Sequence, residues 1–571
     1  MDDNLFTVAD VYRDHLAATY KEFLLTARIK ILVVVDTEIS LSTGPGVFGV
    51  GRLIKLLRDT KVGCTRFDVT LARRSAVSPM VTNNNPADNQ PTYEGFRFDA
   101  TVGGKKVLDG FHEVWLYGFK PDNFGGPDAN INQPGALPLS DSELEALTRW
   151  MNEKQGGLFA TGDHDYLGAS MCHRIPRVGT MRKWTNADGV PPIGGPERID
   201  TNRPATPGQA DIAGSPDVMP FNNQSDTVPQ KIEWVAWQKH RHGHFLLHKR
   251  PHPVLCHPTL GPIDVMPDHP HEGCMVEEQA IDLAASYSFN GYGGPEYPGS
   301  GSSQPRPRVI AWGNTLPDPP YNHQKGDTPA KHFPMISVYD GHVADVGRVA
   351  SDSTWHHHMD INIYDLEHAA DATAWQKISR YFINLAVWLA PPGRYRAHCF
   401  FDFVKAHFEY VGMLEYHPKV EAARIGAIAR KHLVLHYGSC WVTTFVLDWL
   451  KDFNRKLHER ILIEFFEGGP LVGPKGPRPG PCLSCPPWDF IEETLLGHMV
   501  LSTRELALEL RRSFEGGERR AFKLDAFQPL MFKGLEQGWK EISRLMEADS
   551  KRLKEVFAPV KAEPQRIQAA E

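Results

Sequence analysis

The chain contains several short runs of consecutive apolar residues, and these runs restrict its fold more than any other feature. The first run, residues 31–35, reads Ile-Leu-Val-Val-Val and ends at Asp36. A strand that is apolar on both faces needs cover on both sides, as in parallel sheets flanked by helices. Further strand patterns lie at 67–71, 113–117, 156–161, 309–312, 335–339 and 348–350. Helical spacing between the early strands completes an α/β pattern, so the sequence predicts a three-layer domain with a mostly parallel sheet.

The pattern changes along the chain, whose 571 residues exceed one ordinary domain. Residues 1–27 have the apolar spacing of a leading helix. The α/β domain is predicted over 28–395, with a large irregular insertion rich in Pro, Gly, Asn and Asp at about 180–307. Strand signals then fade, which predicts an all-helical C-terminal domain over 396–560 and a polar tail over 561–571. The predicted C-terminal helices cover 400–415, 419–433, 440–463, 488–512 and 529–556.

Composition limits the classes of partner and compartment. The formal net charge is −7 and no long basic run occurs, so no nucleic-acid partner is expected. No run of roughly eighteen apolar residues exists, which argues against a membrane span. The acidic N-terminus lacks a signal core, and the cysteines are scattered, so we expect reduced thiols and a cytoplasmic location. Only Cys482 and Cys485 have ligand-like spacing, and their Pro-rich surroundings are more typical of a loop.

Three clusters of imidazole and carboxylate side chains are the candidate functional features. They consist of Asp163, His164 and Asp165; of Asp268, His269, His271 and Glu272; and of His356, His357 and His358 between Asp352 and Asp360. Two of these clusters follow predicted strands, and functional residues collect beyond the carboxyl ends of strands in open α/β sheets. Neutral imidazole binds metals and moves protons near neutral pH. We therefore expect the three clusters to form one pocket.

Each cluster also has a simpler interpretation. Asp163 at a strand end could equally cap the following helix, whereas capping does not require the imidazole of His164. Three adjacent imidazoles cannot all face one point. In an extended segment, His356 and His358 share one face and His357 opposes them. The alternative is that one imidazole reaches the pocket while the others make supporting hydrogen bonds or reach solvent.

Other features are less specific. Asp36 follows the first strand, where a carboxylate holds a metal or a substrate hydroxyl, or caps a loop. The glycines from Gly44 to Gly51 loosely resemble a dinucleotide loop, but Pro45 interrupts them. We interpret them as loop and helix-start residues, with an anion site at the helix N-terminus as the alternative. The histidines that alternate within residues 239–244 have basic neighbours, which favours an exposed face.

The strand and turn around residues 157–168 resemble a known superfamily. A strand, a tight turn and then helix signals form an elbow, and a late strand at 347–349 leads into His356 and His357. With a first strand that ends at Asp36, this arrangement resembles the class I glutamine amidotransferase-like superfamily, and more narrowly its trehalose-utilisation-type branch. The resemblance covers residues 28–395 apart from the insertion. It implies a flavodoxin-like sheet and the location of the pocket.

The same residues argue against the chemistry of that superfamily. Amidotransferases place a cysteine at the elbow, where this chain has Asp163, His164 and Asp165, and Cys172 lies further along. Glutamine hydrolysis through a thiolate is therefore not expected.

The sequence favours a hydrolase-like enzyme that acts on a small-molecule substrate. Asp163, His164 and His357 are the predicted catalytic residues. The predicted metal ligands are Asp36, His269, His271, His356 and His358. Bound zinc or manganese would polarise the substrate or activate water; without a metal, a His–Asp pair would act as general base. The alternative is a non-catalytic ligand-sensing or scaffolding module whose helical domain binds a protein partner.

Overall fold

The computed structural model describes twelve segments of the chain. These are residues 27–120, 137–163, 167–184, 229–242, 246–267, 273–299, 304–315, 331–368, 372–392, 422–467, 487–515 and 527–557. The predicted leading helix lies outside the described residues except for residue 27, which begins a strand. The polar tail, the 400–415 helix and the Cys482–Cys485 pair also lie outside them.

A mixed sheet with a parallel centre organises the first part of the chain. Its main strands are β1 (Ala27–Val35), β2 (Thr65–Arg73), β3 (Glu113–Tyr117), β4 (Gly157–Thr161), β5 (Arg308–Thr315), β6 (Lys331–Tyr339) and β7 (Val349–Asp352). The strand order is β5-β6-β7-β4-β3-β1-β2. Strands β7, β4, β3, β1 and β2 are parallel to one another, whereas β6 and β5 are joined to their neighbours by antiparallel pairing. The predicted α/β class and mostly parallel sheet are thus confirmed.

Helices cover both faces of this sheet, which explains why its central strands are apolar on both sides. Leu32 and Val34 of β1 join one buried cluster with helix α2 (Asp141–Glu153), while helix α1 (Gly51–Asp59) and helix α3 (Ala372–Leu389) contact each other. Helix α3 also packs against β1, β4 and β7. Ser140 and Glu143 form the capping box that starts α2, and their spacing in the sequence, Ser followed by Glu three residues later, already predicts a helix start there.

Short strands and turns complete the α/β part. The two-residue strands Val81–Thr82 and Tyr93–Glu94 extend the sheet beyond β2, and Glu233–Trp234 pairs with β5. Other short strands are Lys61–Val62, Thr101–Val102, Lys105–Lys106, Gln230–Lys231, Cys256–His257, Gly261–Pro262, Val265–Met266, Ser286–Phe289 and Tyr292–Pro295. Short helical turns are Val107–Gly110, Ala169–Cys172, Val178–Met181, Pro253–Leu255, Glu278–Ala280, Gly341–Ala344, Trp355–His357, Asp360–Ile363 and Tyr364–His368.

The region after residue 396 is helical where it is described, apart from the short strand Phe466–Glu467. Its helices are α4 (Ala422–Tyr437), α5 (Ser439–Phe453), α6 (Arg455–Phe465), α7 (Trp488–Glu515) and α8 (Gln528–Phe557). The sequence predicts one helix over 440–463, but the structure divides it at Asn454. The backbone of Asn454 is extended, and its side chain accepts the N–H of Leu457 at 3.1 Å. Asn454 therefore ends α5 and caps α6.

The helical region also includes a piece of the insertion. The hairpin of Gln238–His242 and Leu246–Arg250 pairs with the short strand Phe466–Glu467, and the described residues of 237–250 form one compact unit with the described residues after 396. Residues 27–236 and 251–396 form the other unit. The sequence pattern alone places this hairpin in the α/β domain. Across the described segments, no helix is both long and apolar enough to cross a membrane.

Candidate functional site

Asp163 and the cluster of His356, His357 and His358 lie together at one edge of the sheet. Strand β7 runs parallel to β4, with Asp352 opposite Thr161 at their carboxyl ends. Asp163 lies two residues beyond β4, and the histidine run begins four residues beyond β7. Because these two strands are adjacent and parallel, the residues that follow them lie close together, as expected for a parallel sheet.

A tight turn, and not an extended segment, carries the three histidines. Trp355–His357 is a 3₁₀ turn that starts at Thr354, whose hydroxyl accepts the backbone N–H of His356 at 3.1 Å. The alternation expected for an extended chain is therefore wrong. Instead, His357 and His358 both contact Asp352, while His356 faces Asp163.

Asp352 is the centre of a buried hydrogen-bond network. Its Oδ1 accepts Nδ1–H of His357 at 2.7 Å, and its Oδ2 lies 2.9 Å from the hydroxyl of Tyr381 and 3.4 Å from Nε2 of His358. Burial alone would raise the pKa of Asp352, but its electrostatic interactions and hydrogen bonds with His357 and His358 outweigh burial and hold that pKa below its usual value. Asp352 is thus a carboxylate at neutral pH.

His358 is a neutral bridge in this network. Its Nδ1 lies 3.2 Å from the hydroxyl of Tyr117, and its Nε2 faces Asp352. Burial lowers the pKa of His358, with Asp352 opposing that effect. Burial raises the pKa of the hydroxyls of Tyr117 and Tyr381 well above the usual range, and the negative charge of Asp352 adds to it. Both hydroxyls are therefore protonated and donate, which leaves His358 with Nε2–H directed at Asp352.

A second imidazole–carboxylate pair lies beside the first. Nε2 of His356 is 3.6 Å from Oδ2 of Asp163, and Nδ1 of His356 is 2.8 Å from the amide oxygen of Asn362. The other carboxylate oxygen of Asp163 accepts the hydroxyl hydrogen of Thr354 at 3.1 Å. All of these side chains are completely buried. Nδ1 of His356 thus faces the amide oxygen of Asn362, and its Nε2 faces the carboxylate of Asp163.

Arg182 ties the two strand ends together. Its guanidinium donates to the backbone carbonyls of Asp163 at 2.8 Å, Ser353 at 2.7 Å, Asp352 at 3.2 Å and Lys183 at 2.8 Å. Burial lowers the pKa of Arg182 to about 10, so it is still charged at neutral pH. The guanidinium of Arg182 thus has a structural role, because all of these hydrogen bonds go to backbone oxygens.

The remaining predicted site residues of the first two clusters lie outside the described residues. These are His164, Asp165, Asp268, His269, His271 and Glu272. Their described neighbours are close to the site: Asp163 is part of it, and the N–H of Gly273 donates to the carbonyl of Ser353 at 3.1 Å. The chain therefore enters or leaves both undescribed segments beside the histidine turn.

Asp36 accepts hydrogen bonds from the loop after β1 and from the loop after β3. Its Oδ2 accepts the backbone N–H groups of Phe119 at 2.5 Å and Lys120 at 2.7 Å, and its Oδ1 accepts that of Glu38 at 3.1 Å. Burial raises the pKa of Asp36, and these hydrogen bonds lower it in part. Both oxygens of Asp36 are thus engaged in holding the loops after β1 and β3.

The glycine-rich loop after β1 binds a carboxylate of the protein itself, the side chain of Asp360. The carboxylate of Asp360 accepts the N–H of Gly44 at 3.0 Å and that of Arg52, in the first turn of α1, at 2.8 Å. A β-carbon at Gly49 or Gly51 would overlap the backbone of residues 40–43. The backbone N–H groups of this loop and of the N-terminus of α1 thus bind Asp360. Asp360 lies two residues after the histidine run.

Burial determines the properties of two further side chains, His240 and Cys172. The exposed face expected for the histidines of 239–244 is wrong for His240, which is 1% exposed and packs on Phe466. Burial lowers the pKa of His240 to about 3. Cys172 is completely buried, and burial raises the pKa of its thiol. A buried neutral thiol is a poor nucleophile.

The described donor atoms do not form a metal centre by themselves. Within the segments that the structure describes, no group of three His, Cys, Asp or Glu side chains is arranged so that it could hold a metal ion. Both nitrogens of His358 and both oxygens of Asp36 already have hydrogen-bond partners. A metal at this edge would therefore need His269, His271 or His164 as ligands, and the metal site stays a prediction.

Sequence reasoning missed several residues of the network. The sequence places Asp352 beside the histidines at a strand end, but it does not indicate that Asp352 is the common partner of His357 and His358. Nothing in the sequence around Tyr117, Tyr381 or Asn362 indicates that these residues belong to the network. Tyr381 is one of several aromatic residues in an amphipathic helix, and only the packing of α3 on β7 brings its hydroxyl to Asp352.

Comparisons with known proteins give no relative. No protein-family model, no curated protein and no solved structure matches the chain. The function is therefore inferred from the arrangement of the side chains alone.

Proposed function

We propose that the protein is a hydrolase-like enzyme that uses adjacent histidines as general base and general acid. The observation that carries this proposal is the 2.7 Å contact between Asp352 and His357 beside the Asp163–His356 pair. A carboxylate that accepts Nδ1–H of an imidazole leaves the lone pair on Nε2, which is the form that takes a proton from water.

The two histidines are suited to opposite roles. His357 with Asp352 is the proposed base that activates water, and its protonated form is stabilised by the carboxylate. His356, with Asn362 at Nδ1 and Asp163 near Nε2, is the proposed acid that protonates the leaving group. Such a pair suits a small ester or phosphoester, whose leaving oxygen needs a proton. His164, next to Asp163 in the chain, is proposed to border the same pocket.

One observation favours the alternative, a non-catalytic ligand-sensing or scaffolding module. Asp163, Asp352 and the three histidines are all 0% exposed. A buried, hydrogen-bonded polar network also specifies a fold without any chemistry. In the catalytic proposal, substrate must reach these buried side chains.

A hydrolysis assay separates the two proposals. Purified protein would be assayed with p-nitrophenyl acetate and p-nitrophenyl phosphate, with EDTA or with added zinc or manganese. His357→Ala and the isosteric Asp352→Asn should lower kcat by about 10²- to 10⁴-fold, as expected for loss of general-base catalysis. His332→Ala is the control, because its half-exposed ring lies on β6 and outside the network. Hydrolysis that is equal in all variants, or absent from the wild type, would favour the non-catalytic module.

Two finer expectations join this proposal. Metal analysis of the purified protein tests whether His269 and His271 bring zinc or manganese to the site. The resemblance to the amidotransferase-like superfamily rests on the sheet and on the strand that leads into His356 and His357. A cytoplasmic location and a protein partner for the helical domain also belong to the proposal.

A further inference from the structure

A cleft of about 430 Å³ lies at the end of the sheet, next to the short strands Val81–Thr82 and Tyr93–Glu94. One side of the cleft is lined by residues between 77 and 82, and the other side by residues between 95 and 102. Strands β3, β1 and β2 separate these short strands from β4, so the cleft is distinct from the candidate site. Its volume falls within the range of about 300–1,000 Å³ that is typical of small-molecule sites.

The two sides of the cleft are held together by main-chain contacts. Gly95 has a φ of 70°, and a β-carbon at this position would overlap the backbone carbonyl of Val77. Only glycine therefore allows the two segments to approach so closely. The guanidinium of Arg97 adds hydrogen bonds to the carbonyls of Phe96 at 2.8 Å and Ser75 at 3.0 Å. The shape of the cleft is thus fixed largely by the main chain.

Apolar side chains are exposed around this cleft. Val77 and Val102 line it and are 40% and 43% exposed, and Val81, between the lining residues Met80 and Thr82, is 54% exposed. These three valines are among only five large hydrophobic side chains that are exposed in the described part of the chain. Exposed apolar groups that cluster in this way mark a binding site. A ligand that fits the cleft therefore has an apolar part.

Two charged side chains that line the cleft are available to a ligand. A guanidinium has five N–H donors, and Arg97 uses three of them, on the carbonyls of Ser75, Gly95 and Phe96. Among the described residues, none forms a hydrogen bond or an ion pair with the exposed carboxylate of Asp99. Burial lowers the pKa of Arg97, and the negative charge of Asp99 is among the effects that raise it again. The two opposite charges are thus near each other in one cleft.

We propose that this cleft binds a free α-amino acid with an apolar side chain, in its zwitterionic form. The two remaining donors of Arg97 hold the α-carboxylate, and the carboxylate of Asp99 accepts hydrogen bonds from the α-ammonium group. Val77 and Val102 contact the apolar side chain. A ligand with a single charge would cover the other charged group of the cleft without pairing it, which costs free energy. This site does not depend on the proposed hydrolase activity.

Calorimetric titration of the full chain tests which parts of the ligand are recognised. The probes are L-leucine and L-phenylalanine, together with three compounds that each lack one part. These are glycine, which lacks the apolar side chain, 4-methylpentanoate, which lacks the ammonium group, and 3-methylbutylamine, which lacks the carboxylate. Leucine or phenylalanine should bind at least about tenfold more tightly than each of the three, as expected for loss of a hydrogen bond to a charged group or of apolar contact. No binding of leucine or phenylalanine up to about 10 mM, or equal binding of the amine, would overturn the proposal.

Asp99→Asn removes the charge of the cleft carboxylate and keeps its shape. It should weaken leucine binding at least about tenfold. Asp109→Asn is the matched control, because Asp109 is an equally exposed carboxylate that follows the 101–106 hairpin and does not line the cleft. It should bind leucine as the wild type does. Unchanged binding by Asp99→Asn, or an equal loss in both variants, would show that Asp99 does not contact the ligand and would overturn the site.

Methyl NMR of the valine-labelled full chain locates the ligand without relying on a loss of binding. The signals of Val77 and Val102 are identified by their loss in Val77→Ile and Val102→Ile. Addition of leucine should shift both signals, whereas the methyl signals of Val500, buried in α7, should stay in place. Leucine binding that leaves the signals of Val77 and Val102 unchanged would place the ligand elsewhere and reject the proposed cleft.

Discussion

The α-carbon of Gly426 on α4 packs directly against the backbone carbonyl of Glu493 on α7. One turn further along α7, Gly497 makes the reciprocal contact with the carbonyl of Ala422, and a β-carbon at either glycine would overlap backbone atoms. The two helices therefore cross at a distance that only glycine permits. Backbone cannot move aside as a flexible side chain can, so this crossing has little tolerance.

Gly426→Ala should therefore destabilise the helical unit by at least about 3 kcal/mol. Alanine raises helix propensity by about 1 kcal/mol over glycine, but the overlap with the Glu493 carbonyl forces α4 and α7 apart and outweighs that gain. Urea unfolding followed by circular dichroism measures the difference. Lys431→Ala, at an exposed position of α4, is the matched control and should change stability by less than about 0.5 kcal/mol. Equal stability of the two variants would show that the helices can separate at little cost.

Arg250 should be essential for joining the hairpin to the helices. Its guanidinium donates to Thr443 at 2.7 Å and to Asp489 at 3.2 Å, and it is 4% exposed. Arg250→Met leaves the partly buried charge of Asp489 with one fewer cation, which should cost about 3 kcal/mol. The neighbouring Lys249→Met changes an exposed lysine and should be nearly neutral. Thermal unfolding of the two variants gives the comparison, and a similar Tm for both would contradict the prediction.

Glu113 predicts a pH dependence of stability. This carboxyl is completely buried at the start of β3; burial raises its pKa well above the usual value, and the hydrogen bond from Trp115 at 2.9 Å offsets this in part. A pKa raised by folding means that its contribution to stability is full below about pH 4.5 and is lost as the pH rises towards the folded-state pKa. In that window, Glu113→Gln should gain about 1.4 kcal/mol relative to the wild type for each pH unit.

Denaturant titrations of the wild type and Glu113→Gln from pH 5 to pH 8 test this sign. The exposed Glu505→Gln on α7 serves as the control and should follow the wild type at every pH. If the difference between Glu113→Gln and the wild type is the same at pH 5 and pH 8, the carboxyl of Glu113 ionises in the folded protein as it does in the unfolded chain.

Arg182→Lys should damage the candidate site while keeping its charge. A lysine ammonium has three donors on one atom and cannot reach all four carbonyls that the guanidinium of Arg182 joins. We expect a loss of about 2–4 kcal/mol, together with faster amide hydrogen exchange at the ends of β4 and β7. Arg66→Lys, at an exposed position of β2, should change neither. Unchanged exchange in Arg182→Lys would mean that the strand ends are fixed by sheet pairing alone.

The sheet could be predicted from the sequence because its signal is local. The apolar run at 31–35 and the capping box at Ser140 each specify their element without help from distant residues, and both are confirmed. The helix break at Asn454 and the 3₁₀ turn that carries His356–His358 were missed. In both cases one side chain that caps a turn overrides the periodicity of its neighbours.

The candidate site was predictable only in part. That Asp163 and the histidine run meet follows from two parallel strands that end at one edge. That Asp352 binds two histidines and Tyr381 depends on how α3 packs, and no residue spacing contains that information. The burial of His240 depends on a pairing with residues 466–467, more than 200 positions away, which the local pattern of basic neighbours could not indicate.

The position of β7 between β4 and β6 has a consequence for synthesis of the protein. β4 has its partner β3 soon after translation, but its other edge is completed only by Val349–Asp352, about 190 residues later. At a translation rate of roughly 5–20 residues per second, the edge of β4 stays unpaired for about 10–40 seconds. During that time Asp163 also lacks the histidines that complete the candidate site. An open apolar edge of this kind is a template for aggregation. The chain should therefore depend on chaperones or slow translation when it is overproduced, even though the finished sheet conceals every residue of that edge.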